Sequence, residues 1–517
     1  MKKLSFFLLI IMALALASCG DSNPVLTIEG GSITGVQTPT EGVIAFKGIP
    51  FAAPPVGDLR WKEPQPVVPW DGVRVADTYG DAASQVTWDP ESFYGREWRA
   101  SGSVPFTEDC LYLNIWTPAA GKTGKKLPVA MWIHGGGYRE GFSYEPEMDG
   151  GEAWASRGVI LVQVTYRLGV MGFFSHPLLA AESPHGVSGN YGLMDQIAAL
   201  KWIHNNIEQF GGDPGNITIF GQSAGAGSVQ SLCASPLSRD IISSAIIMSG
   251  GGLSDLRPGI MMDTAQVAGK NLMDHFEKTT LEDMRALSFD ELTKMSGEYA
   301  AATNKRVWWS PVVDNYVLTG TFTNVARAGE IADIPYMIGF TANDLNDMTK
   351  PVADFCALRA EKSQKPAYAY LFARPLPGDD AGAFHSADLW YVFNSFKHSW
   401  RPFTAGDEEL SNKIVDYWTN FARTGDPNGT DADGQAMPRW PAAGRDGDRF
   451  MLFGEKPAAR EEQVAALMLL TAFGGATSAF AEAGITLRMV ESLTSPARTA
   501  LLRSQLVFRS TAGHPSF

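Results

Sequence analysis

Ile217-Thr218-Ile219-Phe220-Gly221-Gln222-Ser223-Ala224-Gly225 joins a short, mostly apolar, β-branched and aromatic run to a Gly-x-Ser-x-Gly turn. A helix-compatible run, Ala226 to Leu232, follows directly. A strand bounded in this way reads as buried in a sheet. Small residues around a serine permit the sharp turn that lifts a nucleophilic hydroxyl clear of the sheet. The helix N-terminus behind it favours developing negative charge. The five-residue pattern alone arises by chance; the strand-turn-helix setting gives it weight. Upstream, His134-Gly135-Gly136-Gly137 follows another strand-like run, Val129 to Ile133. Glycines there let backbone N–H groups approach a tetrahedral oxyanion, joined by the N–H of Ala224. His134 itself precedes the serine and reads as structural.

Working outward, apolar runs alternate with helical spacing. Strands are expected at Val159 to Val164, Ser244 to Met248, Ile334 to Phe340 and Tyr368 to Ala373, and a helix between Asp195 and Phe210. Alternation of this kind predicts an α/β fold with a mostly parallel, doubly wound sheet. Thr27 to Val36, Gly42 to Gly48 and Leu111 to Trp116 read as antiparallel N-terminal additions at its edge. In such a fold the nucleophile is followed by an acid and then a histidine. Asp344 lies just past the Ile334 to Phe340 strand, with Asp347 its competitor. His385, His398 and His514 come late enough; His385 sits in a loop shortly after the Tyr368 to Ala373 strand, and His398 is the fallback.

The 517 residues are 45% hydrophobic, enough for a large core, and a formal charge of −14 argues against a nucleic-acid partner. No metal-ligand spacing appears, and no metal or organic cofactor is implied. Met1-Lys2-Lys3 and the apolar run Leu4 to Ala17 read as a signal peptide over residues 1–18. Leu16-Ala17-Ser18-Cys19 resembles a bacterial lipobox, so Cys19 is the expected lipidation site and residues 19–27 a tether. That predicts an exported lipoprotein whose contact with the membrane is the lipidated N-terminus. The remaining Cys110, Cys233 and Cys356 read as reduced, buried thiols.

Several long segments resemble the type-B carboxylesterase family, which includes cholinesterases and bacterial para-nitrobenzyl-type esterases. They are Phe46-Lys47-Gly48-Ile49-Pro50-Phe51-Ala52, Glu108-Asp109-Cys110-Leu111-Tyr112-Leu113-Asn114, Gly189-Asn190-Tyr191-Gly192-Leu193-Met194-Asp195-Gln196, the elbow itself, and Tyr417 to Asn428. The resemblance implies an α/β-hydrolase domain over 28–461. It assigns Ser223 as nucleophile, Asp344 as acid, His385 as base, and Gly136, Gly137 and Ala224 as oxyanion donors. It puts Trp308 and Trp309 near the acyl pocket, Trp88 and Trp98 towards the gorge rim, and Gln222 beside the nucleophile.

Departures from the family sharpen the expectation. Asp344-Leu345 stands where relatives carry Glu followed by Gly. The acid and base are 41 positions apart, a shorter span than usual, which predicts a more open pocket. The usual disulfide partner of Cys110 is missing, with Ser84 nearest to that position. Gln222 replaces the cholinesterase Glu, removing an attraction for choline. From about Glu462 the resemblance ends, leaving 462–517 as an atypical tail: an appendage or a shifted reading frame. The expected activity is hydrolysis of short to medium or aryl carboxylic esters, with feruloyl-type esterase or lipase activity open. The rival from another class is a catalytically silent adhesion or binding module of the same fold.

Overall fold

The computed structural model describes residues 23–86, 89–98, 104–254, 259–307, 309–362, 364–445, 449–454 and 457–461. The signal-peptide and Cys19 assignments, Trp88, Trp308, His514 and the 462–517 tail lie outside them. Eleven strands form the main sheet. In chain order they are β1 (Val36–Gln37), β2 (Ile44–Pro50), β3 (Tyr112–Thr117), β4 (Leu127–Ile133), β5 (Ile160–Val164), β6 (Gly212–Gln222), β7 (Ser244–Met248), β8 (Tyr336–Thr341), β9 (Ala367–Phe372), β10 (Arg449–Phe453) and β11 (Pro457–Glu461). Across the sheet they run β11-β10-β9-β8-β7-β6-β4-β5-β3-β2-β1.

From β5 to β10 every neighbouring pair is parallel, while β1, β2, β3 and β11 join antiparallel. The central strands β5, β7, β8 and β9 are buried along their whole length. That is why they read as continuous apolar runs rather than alternating ones. The chain leaves β4 towards β5 and returns across it to β6. This reversal opens a crevice at the carboxyl ends of β4 and β6, the place where ligands bind in open α/β sheets.

Two helices follow in the chain on either side of β6: α1 (Tyr191–Asn206) and α2 (Ala224–Ala234). Asp195 of α1 grips the buried Arg167 guanidinium through two bonds of 2.7 and 2.8 Å. On the other side, α3 (Ala405–Thr424) packs Trp418 and Phe421 against Tyr370, Tyr368 and Phe453 of the strands. Cys110, Cys233 and Cys356 are buried free thiols.

The N-terminal expectation needs one correction. Thr27 to Val36 is not a single edge strand. Val25–Ile28 and Gly31–Thr34 form a hairpin in a separate three-stranded sheet with Val73–Val75, and β1 alone joins the main sheet. Gly30, at φ +93°, makes the turn that splits the run.

Candidate active site

The turn between β6 and α2 is built from close backbone contact. A Cβ on Gly225 would lie 2.1 Å from the carbonyl oxygen of Ile133, and one on Gly221 would meet Gly225 at 2.6 Å. The two glycines therefore let α2 start hard against the end of β4. Between them Ser223 takes φ 56°, ψ −123°, a conformation that costs a non-glycine residue of order 1–3 kcal/mol. The strain aims its hydroxyl into the crevice.

His385 Nε2 lies 2.9 Å from Ser223 Oγ, and its Nδ1 lies 2.6 Å from Asp344 Oδ1. A carboxylate only accepts, so Nδ1–H donates to Asp344 and Nε2 faces the serine as an acceptor. Ser249 Oγ donates to the other carboxylate oxygen at 2.6 Å, as do Thr341 N and Oγ1 at 3.2 Å. Burial pushes the Asp344 carboxyl up, but the hydrogen bond and charge of His385, with the Ser249 and Thr341 bonds, hold it below its ordinary value. It stays ionised.

The shorter acid reaches the imidazole because its loop is fastened to the histidine loop. Asn343 N donates to Ala383 O at 2.9 Å, Ala383 N donates to Asn343 Oδ1 at 3.0 Å, and Asn343 bridges Phe384. Tyr94 adds a hydroxyl bond to the His385 carbonyl at 3.2 Å.

The competing residues stand elsewhere. Asp347 is exposed and accepts from Thr349 N. His398 pairs with Asp149 at 2.6 Å. His134 is fully buried against Tyr166, and burial pushes its pKa down to about 4, so it is a neutral packing residue.

Ser223, His385, Gly135, Gly136 and Gly137 line one cavity of about 710 Å³ open to solvent. Gly136 and Gly137 both have positive φ, and a Cβ on Gly136 would fall 1.9 Å from Glu140 O. Ala224, the first residue of α2, follows the serine. Trp98 lines the cavity, as the sequence suggested, and Gln222 lies with its amide nitrogen 3.2 Å from His385 Nε2. Trp309 packs on Phe174, ring centres 5.9 Å apart, and is not among the residues that line this cavity.

Sequence reasoning missed Ser249, Tyr94 and three carboxylates on the cavity wall, Glu140, Glu145 and Glu147. Ser249 carried a readable signal, a polar residue immediately after a buried strand. The others depend on which side chains turn inward within loops, and no periodicity records that.

Comparison with known proteins gives a consistent picture. Residues 22–354 and 346–467 match the model of the carboxylesterase family. The chain is 36% identical over 373 residues to the fumonisin B1 esterase of Sphingopyxis macrogoltabida, a match spanning 70% of this chain and 65% of that protein. It is 31% identical over 515 residues to the cocaine esterase of Homo sapiens, covering 84% and 89% of the two chains. A solved thermophilic PNB esterase superposes with a TM-score of 0.73 at 25% identity, over 86% of this chain and 99% of its own.

Proposed function

We infer, for a chain that belongs to the carboxylesterase family and is a carboxylesterase of the α/β-hydrolase fold, that Ser223 is the nucleophile of a Ser-Asp-His triad. The observation that carries this reading is the unbroken line Ser223 Oγ, His385, Asp344 at 2.9 and 2.6 Å. Ser223 attacks the ester carbonyl while His385 Nε2 takes its proton. The N–H groups of Gly136, Gly137 and Ala224 receive the oxyanion, and ionised Asp344 stabilises the imidazolium. His385 then returns the proton to the leaving alcohol, and water repeats the sequence on the acyl-enzyme.

The silent-module alternative loses ground because each triad position holds a competent, hydrogen-bonded group. Substrates in this reading are short to medium or aryl esters. What supports the breadth is a solvent-open cavity with Leu345, 67% exposed, on its lining.

Replacing Ser223 with alanine should leave only a trace of activity on a short-chain nitrophenyl ester. Near-normal turnover by that variant would end the assignment. Export and anchoring through Cys19 belong to the same reading. Cys19→Ser should move the protein from the membrane fraction to the soluble one, and a wild type already wholly soluble would contradict the anchor.

A further inference from the structure

We propose that Glu145 and Glu147, with Glu140 beside them, form a cation subsite in the catalytic cavity, and that the preferred substrates are esters carrying a primary ammonium group. This rests on the serine-esterase reading above and names the substrate class for that site.

The three carboxylates lie within eight residues of one another, just after the glycine motif, and line the cavity that holds Ser223 and His385. Among the described residues, no lysine or arginine lines it. Several buried carboxylates elsewhere are matched by the chain's own cations, whereas Asp388 is held by the Tyr370 hydroxyl at 3.2 Å and Asp314 by Asn190 and backbone N–H groups. Glu97 takes Nε and Nη2 of Arg401 at 2.8–3.0 Å, Asp195 takes Arg167, and Asp407 takes Arg374. Glu147 is different: it is 1% exposed, and its Oε2 is buried without a hydrogen-bond partner. An unpaired buried carboxylate is costly, so such a group is either neutral or matched by something that arrives.

Burial raises all three; repulsion from Glu145 and Glu97 adds to it at Glu147, and repulsion from Glu140 adds to it at Glu145. Arg139 only partly offsets this at Glu140, which reaches about 7, and a Phe142 backbone bond does the same at Glu145, which reaches about 8. These carboxyls therefore hold protons that an incoming ammonium displaces. A primary ammonium brings one positive charge and three N–H donors, the complement of Glu147 Oε2 and the carboxyls beside it. The rings of Tyr94 and Trp98 in the same cavity favour a cation as well. A quaternary ammonium offers no N–H, so the loss of a choline attraction at Gln222 is compatible with this subsite.

The experiment compares isosteric esters that exchange a terminal methyl for ammonium. One pair is 4-nitrophenyl heptanoate and 4-nitrophenyl 6-aminohexanoate; the other places the same two chains on the alcohol of an acetate. In the wild type, kcat/KM should favour the ammonium ester at least tenfold in one of the pairs. In Glu145→Gln and Glu147→Gln that preference should fall at least tenfold, with folding checked by circular dichroism and active serine by organophosphonate labelling. A wild-type preference below tenfold in both pairs overturns the subsite, as does a preference unchanged in both variants. Either result, with hydrolysis still abolished in Ser223→Ala, leaves the serine-esterase reading standing. Hydrolysis that survives Ser223→Ala would instead remove that reading.

Discussion

Asp344 has a dual burden. It must stay ionised while buried, and its short side chain must reach the His385 imidazole. Its Oδ2 collects Ser249 and Thr341, while its Oδ1 takes His385 and the N–H of Leu345 at 2.8 Å. Replacing it with asparagine keeps the shape but favours the wrong imidazole tautomer. In an analogous triad that change costs roughly 10⁴-fold in turnover. Asp344→Asn should therefore be crippled, and Asp347→Asn should turn over within a few-fold of wild type; steady-state kinetics on one nitrophenyl ester decides both. Linkage follows the same group. Because its folded pKa is depressed, Asp344 stabilises the fold above the ordinary carboxylate range. That contribution fades as pH drops below about 4 and is gone once pH falls through the folded value. At this scale much of the chemistry was legible: a serine between glycines and an acid just past a strand are local patterns. The wall carboxylates and the inward Tyr94 were not, because loop side chains follow tertiary packing and leave no local pattern.

The start of α2 is where element geometry constrains sequence most tightly. Gly225 must be glycine because the Ile133 carbonyl occupies the space of its Cβ. Gly225→Ala should thus destabilise by about 1–3 kcal/mol, the range for forced overpacking. Gly297 is the contrast. It lies exposed inside the helix Phe289–Thr303 with nothing within 4 Å of its missing Cβ. Gly297→Ala should stabilise by roughly 0.5–1 kcal/mol. Urea unfolding of the two variants should move in opposite directions, and movement in the same direction would show that the glycine argument has failed. Strand positions were readable for a related reason: sheet strands buried on both faces need unbroken apolar runs, so β4, β5, β7, β8 and β9 announced themselves within two residues of their ends. The hairpin at Val25–Ile28 and Gly31–Thr34 was harder, since a short strand pair belonging to a second sheet has the same β-rich composition as an edge strand of the first.

Across the whole molecule, the proposed catalytic groups come from three strand ends far apart in the chain, yet they are not three independent attachments. The Asn343 bridge to Ala383 and Phe384 makes the acid loop and the histidine loop continuous with paired β8 and β9. Ser223 N in turn donates to Met248 O, and Ser249 N to Gly339 O, so β6, β7 and β8 are laced together at the site itself. Such a site has no loose joint through which it can fail alone. On slow heating, loss of esterase activity should coincide with loss of the tryptophan fluorescence and circular dichroism of the sheet, within about 2–3 °C. Inactivation well below the global transition would mean that the loops open by themselves. If the transitions coincide, the working lifetime of this catalyst is set by the unfolding rate of its central sheet. Lasting longer at high temperature then becomes a matter of slowing that one event, with substitutions remote from the cavity as useful as any beside it.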